Sequence, residues 1–184
     1  MENNRLFLRD STFEDCMQFA QWETDPRVTE FFTINDGRGY EEITREFFER
    51  EGDPTQKQFT VCLKEDKSAI GRIYISSINS HYDSLDISRI YIADVNNRGK
   101  GYGKEALLLA LKWAFEEKHV ERVTLDHFTG NEIAGSLYEK VGFKREGVMR
   151  HGGKKNGKYV DLHLMSILRN EYFNDWFDWY KITL

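Results

Sequence analysis

The sequence predicts a mixed α+β fold, and three observations predict it. Short β-branched runs at residues 58–63, 70–75 and 87–92 are separated by polar stretches at 64–68 and 79–84, so successive hairpins build a mainly antiparallel sheet. The third run is followed by a Leu- and Ala-rich segment, 104–118, and then by Arg122-Val-Thr-Leu-Asp-His-Phe128. A strand, a helix and a strand in that order require a right-handed crossover and parallel pairing. An antiparallel first half therefore meets a parallel pair near Ile92 and Leu125. Finally, 184 residues with 40% hydrophobic and 31% charged side chains are ordinary for a globular chain with one core. Residues 1–184 are expected to form a single domain with an aromatic extension from residue 170.

Leu6-Phe-Leu-Arg9 reads as the first strand, ending at Asp10. Ser11 or Thr12 is placed to cap the helix that follows, with Glu14 or Asp15 completing a capping box. Phe13, Met17, Ala20 and Trp22 recur near helical spacing, and Pro26 stops the pattern. Phe31-Phe32 and a glycine-bearing loop at 35–39 lead to a second helix over 40–50, with Ile43, Phe47 and Phe48 as its apolar face. After the strand at 122–128, Asn131 or Thr129 caps a helix with the stripe Ile133, Leu137 and Val141, and Gly142 suits the position past its end. Residues 144–150 and 158–168 read as closing strands around a loop at 151–157. The segment 174–182 holds four aromatics and Ile182, which predicts docking on the body of the chain or on a second copy in a homodimer.

Several function classes drop out on composition. No run approaches the ~20 apolar residues of a membrane-spanning helix. Met1-Glu-Asn-Asn-Arg5 does not open a signal peptide, so the expected setting is the cytoplasm. Cys16 and Cys62 have neither metal nor redox spacing and read as buried thiols; His81, His119, His151 and His163 show no metal spacing either, and no metal is expected. Net charge is −5, but residues 1–60 carry 7 basic and 14 acidic side chains while residues 98–158 carry 13 and 8. That split suits a cationic ligand met by the first half and an anionic one held by the second. No basic face carries interleaved aromatics, so nucleic acid is not an expected partner.

Between the strand at 87–92 and the helix lies Ala93-Asp-Val-Asn-Asn97, then Arg98-Gly-Lys-Gly-Tyr-Gly103-Lys104, with glycines on alternate positions among cations. Absent side chains let backbone N–H groups converge on one point, and a helix N-terminus adds partial positive charge, which together cradle phosphate or pyrophosphate. A Walker A loop fails at Glu105, where Ser or Thr is needed. A dinucleotide fingerprint is matched as a string by Gly101-Tyr-Gly103-Lys-Glu-Ala106, with Asp126 late in the next strand. There, however, a polar connector separates strand from glycines, and fewer than half the residues remain for a doubly wound sheet. The third pattern, Arg98-x-x-Gly101-x-Gly103 after Arg89-Ile-Tyr-Ile92, resembles the acetyl-CoA loop of the GCN5-related N-acetyltransferases, the GNAT superfamily. Asn131-x-x-Ala134-x-x-Leu137-Tyr138-x-x-x-Gly142-Phe143 resembles a second segment of that family at the expected distance. Glu146-Gly147, Arg150, Gly157, Asp161 and Met165 are similar to the branch of ribosomal-protein N-terminal and spermidine acetyltransferases.

The resemblance implies a sheet whose two parallel strands splay to admit the pantetheine arm of acetyl-CoA, and acetyl transfer to a primary amine. The acceptor would be a protein N-terminus, a polyamine, an amino sugar or an antibiotic amine. It further implies that Arg98, the backbone of Gly99, Lys100, Gly101, Tyr102 and Gly103, and Lys104 hold the pyrophosphate. Backbone groups of Ile90 and Ile92 would meet pantetheine, and Asn131 would lie near its arm. Tyr138 is similar in position to the tyrosine beside the cofactor sulfur, where a phenol donates to the departing thiolate; by spacing alone it is a core tyrosine. An alkylamine of pKa ~10 is about one part in a thousand neutral at pH 7, so a base is also needed. Asp86 and Asp126 are the candidates, each able instead to bind a cationic acceptor or to sit on the surface; Glu30 is another, and His127 reads as a packed or exposed histidine rather than a catalyst. Family resemblance puts the opening helices on the acceptor side, so Trp22, Phe31 and Phe32 are either pocket walls or core packing. A different class is a GNAT-like module that binds acyl-CoA or assembles without turnover, against which the intact loop and Tyr138 weigh.

Overall fold

In the computed structural model, which describes residues 1–174, the first half is laid down as hairpins because its β-branched runs are broken only by short polar turns. Strand β1 (Leu6–Asp10) is followed by helices α1 (Asp15–Glu23), α2 (Pro26–Thr29) and α3 (Tyr40–Glu51), then by β2 (Lys57–Leu63), β3 (Ala69–Asn79) and β4 (Ser84–Ile92). Helix α4 (Tyr102–Lys112) runs on into a π-helical turn, Trp113–Glu117, and leads to β5 (Arg122–Phe128), α5 (Glu132–Val141), β6 (Lys144–Lys155) and β7 (Lys158–Leu168). The seven strands form one sheet in the order β1-β2-β3-β4-β5-β7-β6. Every neighbouring pair is antiparallel except β4 with β5. The mixed sheet read from the sequence is therefore the observed one, and a single parallel pair rules out the doubly wound arrangement that a dinucleotide fingerprint needs.

Alternation along β3 and β4 gives the sheet two differently built faces. Ile73, Ile75, Ile87 and Ile92 join the main core with Leu107 and Leu111 of α4 and Phe115, and Phe59 meets Trp113 edge-on at 5.3 Å. On the opposite face, Arg72, Arg89 and Tyr91 reach the fully buried Glu23 at the end of α1, at 2.9, 3.2 and 3.0 Å. Arg38 joins the same carboxylate at 3.4 Å, and Glu46 of α3 pairs with Arg38, Arg50 and Arg89. Guanidiniums and carboxylates out of water thus tie α1, α3 and the loop between them to β3 and β4.

Local expectations are corrected where tertiary contacts decide. No side-chain oxygen caps α1; Asp15 instead accepts from the Thr12 N–H at 2.9 Å, and Ser11 Oγ turns to Thr60 Oγ1 at 3.0 Å. Arg9 grips Asp15 through two nitrogens at 2.6 and 2.7 Å, which fixes the helix with Cys16, Phe19, Ala20 and Glu23 inward. Phe13 and Met17, which recur at helical spacing in the sequence, are consequently exposed, and Phe13 stacks on an exposed Phe48 at 5.5 Å. Pro26 does more than stop a helix: with Asp25 accepting from the Arg27 N–H it starts the one-turn α2. In α5 Leu137 and Val141 pack against the main core as expected, but Ile133 is 86% exposed and the most buried positions are Gly135 and Tyr138. The cause is Gly135, where a Cβ would stand 2.9 Å from the His127 ring.

The expected loop at 151–157 is mostly strand. β6 continues to Lys155, and Asn156-Gly157, with φ of 48° and 79°, make a tight hairpin turn to β7. Beyond β7 the chain is helical over 169–174, with Tyr172 buried and stacked on Phe115 at 4.8 Å. The docking or dimer-forming role read for 174–182 lies outside the described residues apart from Asn174.

Candidate active site

The parallel ladder between β4 and β5 is three rungs long: Ser84 with Arg122, Leu85 with Val123, and Asp86 with Thr124. Past Asp86 the strands part. β5 stays paired with β7 along its whole length while β4 stays with β3, so a slot opens between Ile87–Ile92 and Leu125–Phe128. The parallel contact read near Ile92 and Leu125 is thus displaced to the start of both strands, and those two residues flank the opening instead. Along the slot, β4 has exchanged its ladder partner for open backbone. Ile90 is half-buried and Ile92 buried, and the Ile92 carbonyl accepts from Arg98 Nε at 3.3 Å.

The glycine loop sits at the mouth. Asp94 caps a short turn, Val95–Asn97, by accepting from the Asn96 N–H at 2.8 Å, and the chain then passes Gly99 and Gly101 at left-handed φ of 73° and 86°. Such angles are cheap only for glycine. Among the described residues no acceptor faces the N–H groups of Gly99, Lys100, Gly101, Tyr102 or Gly103, the last two in the first turn of α4. Open donors and a helix N-terminus fit a pyrophosphate. Gly103 has an ordinary helical backbone, and a Cβ there would lie 3.8 Å from Leu137 Cδ2. Lys100 is exposed and Lys104 half-buried. Arg98 is not aimed at the loop: its guanidinium binds the carbonyls of Ile92, Ala93 and Arg27.

Asp86 and Asp126 stand at the closed end of the slot, and Tyr138 of α5 lies near enough to Asp126 to feel its charge. Asp86 accepts from Thr124 Oγ1 and Ser88 Oγ, both at 2.7 Å, and burial holds its carboxyl above the ordinary carboxylate range against the pull of those two hydroxyls. Asp126, two residues along β5 from Thr124 and therefore on the same face, has no hydrogen-bond partner among the described residues. Its surface is open to water, yet crowding by protein, with the charge of Asp86 second, pushes its carboxyl up to about 6. Tyr138, buried on α5, is pushed up to about 12 by burial and then by Asp126.

Other candidates are accounted for by their contacts. Asn131 caps α5, its Oδ1 accepting from the Ala134 N–H at 3.2 Å, and its NH2 group has no hydrogen-bond partner among the described residues. His127 is packed rather than exposed: Nδ1 lies 2.8 Å from the Phe128 carbonyl, burial lowers its pKa, and Nε2 is buried without a hydrogen-bond partner among the described residues. Trp22 and Phe32 both pack on Tyr91, whereas Phe31 meets Phe128, at the end of β5, edge-on at 6.1 Å. Glu30 is exposed at the end of α2. Among the described residues, no three His, Cys, Asp or Glu side chains are grouped to hold a metal ion, and no helix is long and apolar enough to cross a membrane.

Two features of the site were not read from the sequence. Arg5 reaches the glycine loop from the start of the chain, donating to the Lys100 carbonyl at 3.0 Å. The β6–β7 hairpin tip clasps the segment before α3: Lys155 Nζ binds the Thr29 carbonyl at 2.6 Å and Asp36 at 2.8 Å, and Asn156 exchanges hydrogen bonds with Asn35 and Asp36. A cavity of about 500 Å³ lies beside the clasp, lined by Thr33, Asn35, Arg38, Glu42, Glu46 and Lys154. Long-range charge pairs of this kind leave no periodic signal; only the Asn-Gly turn was there to be noticed.

A mixed sheet that splays at one parallel pair, with a glycine loop leading into a helix at the mouth, is the acetyltransferase arrangement. Residues 5–144 match the acetyltransferase (GNAT) domain family, and the chain belongs to that family of acyltransferases. Among its relatives is the uncharacterized N-acetyltransferase p20 of Bacillus licheniformis, 25% identical over 171 residues that cover 91% of this chain and 95% of p20. Spermidine N(1)-acetyltransferase of Vibrio cholerae is 25% identical over 172 residues, 94% of this chain and 98% of the relative. The crystal structure of the Vibrio cholerae spermidine N-acetyltransferase in complex with CoA and spermine superposes with a TM-score of 0.84 at 24% identity, covering 93% of this chain and 99% of that one, a likeness of fold.

Proposed function

We propose that this chain works as a single acetyltransferase domain that moves the acetyl group of acetyl-CoA to a primary amine, with a polyamine as the leading acceptor. The observation that supports it most is the slot. It ends at the Asp86–Thr124 rung, with Asp126 beside that end and Tyr138 within reach of its charge, and opens at a loop whose N–H groups have no acceptor among the described residues. Those N–H groups, with Lys100 and Lys104, hold the pyrophosphate; Arg98 acts by fixing the end of β4. The β4 edge at Ile90 and Ile92 orients pantetheine, and the Asn131 NH2 group faces its arm.

Asp126 takes the proton that the ammonium must lose. A carboxyl near 6 is ionised at neutral pH, yet more basic than an ordinary aspartate. Burial first, and then the charge of Asp86, itself held by two hydroxyls, keeps Asp126 basic. Tyr138 donates a hydrogen bond to the sulfur as negative charge builds there; a phenol held near 12 stabilises that charge by donation rather than by giving up its proton. The leading acceptor follows from the relative that acts on spermidine and from the acidic first half of this chain. Thiol release from acetyl-CoA, measured across spermidine, spermine, peptides with free N-termini and aminoglycosides, tests the proposal. Turnover on a polyamine is expected; CoA binding without turnover on every amine would sink it in favour of a non-catalytic module.

A further inference from the structure

Arg5 belongs to none of the motifs that carry the family resemblance, yet it touches the glycine loop and the first turn of α4 at three points. It donates to the Lys100 carbonyl at 3.0 Å, lies 4.7 Å from the centre of the Tyr102 ring, and pairs with the Glu105 carboxylate. Asn3 steadies the pair: its Oδ1 accepts from the Arg5 N–H at 2.8 Å, and its Nδ2 donates to the other Glu105 oxygen at 3.0 Å. Glu105 stands in the first turn of α4. An acid is favourable to a helix there, but it competes for the same positive end that a pyrophosphate would use.

We infer that Arg5 is a positioning residue for the cofactor loop, masking the Glu105 carboxylate so that the N-terminus of α4 stays receptive to the pyrophosphate of CoA. This rests on the proposed use of CoA. Without the guanidinium, Glu105 would present a bare charge beside the loop and repel the anion. The Arg98 guanidinium, turned to backbone carbonyls, is not placed to neutralise it.

Calorimetric titration of the full chain with CoA tests the inference. Arg5→Ala should weaken binding about tenfold, and the loss should shrink as salt is raised, since a solvent-exposed charge is screened. The double variant Arg5→Ala with Glu105→Gln should return to within about threefold of wild type, because a neutral amide no longer opposes an anion at the helix N-terminus. In turnover assays Arg5→Ala should raise KM for acetyl-CoA with kcat unchanged, whereas a general loosening of the fold would lower kcat too. Should Arg5→Ala fail to fold, Asn3→Ala, which strips Glu105 of its other donor, carries the same comparison. Wild-type affinity in the single variant overturns the masking role. A double variant as weak as the single one overturns it too, because Arg5 would then contact phosphate or shape the loop directly. A wild-type chain that does not bind CoA would instead strike the cofactor proposal itself, and this inference with it.

Discussion

Thr124 Oγ1 donates to the Asp86 carboxylate at 2.7 Å on the last rung of the parallel ladder, so the side-chain bond closes the slot where the backbone pairing stops. One Thr–Asp contact therefore marks the floor, and Asp126, two residues further along β5, has a carboxylate with no hydrogen-bond partner among the described residues.

The rate should report that carboxylate. If Asp126 is the base, kcat/KM for the amine should rise with pH through a limb near its value of about 6, and Asp126→Asn should abolish the limb and lower kcat/KM by roughly 10²-fold, the lower range for a general base. An unchanged limb in the variant would assign the titration to another group.

Stability should respond to the same group with the opposite sense. The folded value of about 6 lies above that of an unfolded aspartate, ~4, so the folded state holds the proton more tightly. Its contribution is complete below about pH 4 and is lost as pH rises through about 6. Asp126→Asn should therefore melt higher than wild type at neutral pH, with the gap closing toward acid. The open face of the side chain keeps the effect small.

Tyr138→Phe keeps the ring that packs near His127, at 5.9 Å, and Phe143, at 6.1 Å, so α5 should stay in place. CoA affinity is expected within a few-fold of wild type, while thiol release at saturating acetyl-CoA falls by roughly 10²-fold. Equal losses of affinity and rate would mean that the phenol positions the cofactor. Single-turnover measurements must show that chemistry limits the rate, because slow product release would hide the change.

Two loop glycines should separate strain from crowding. Gly101→Ala must hold φ at 86°, so it should lose about 1 kcal/mol of stability as well as CoA affinity. Gly103→Val places its Cβ at ordinary contact distance from Leu137 and should leave melting nearly unchanged while lowering CoA affinity. Undiminished affinity in the valine variant would remove the loop from the cofactor site.

Glu23→Ala should be the most damaging change outside the slot. It strands Arg72, Arg89 and Arg38 away from water, and breaking such a cluster from one side costs about 3–5 kcal/mol. A denaturant midpoint close to wild type would show that water or Glu46 replaces the lost carboxylate.

Strand and helix existence was legible because it rests on local chemistry: β-branched runs between polar turns for β2 to β4, and Leu and Ala without Gly or Pro for α4. The crossover that makes β4 and β5 parallel also follows from chain order alone, and the loop and α5 motifs pointed to the acetyltransferase family that the chain belongs to. What the sequence could not determine was which face each amphipathic helix would bury. In α1 the Arg9–Asp15 grip and Glu23 among arginines outrank Phe13 and Met17, and in α5 the close approach allowed at Gly135 outranks Ile133. Nor could it choose between Asp86 and Asp126, since both are single acids on neighbouring strands. Only the assembled sheet engages one with hydroxyls and leaves the other unpaired, because a carboxylate's partners come from residues far apart in the chain, and hydrophobic periodicity carries no record of them.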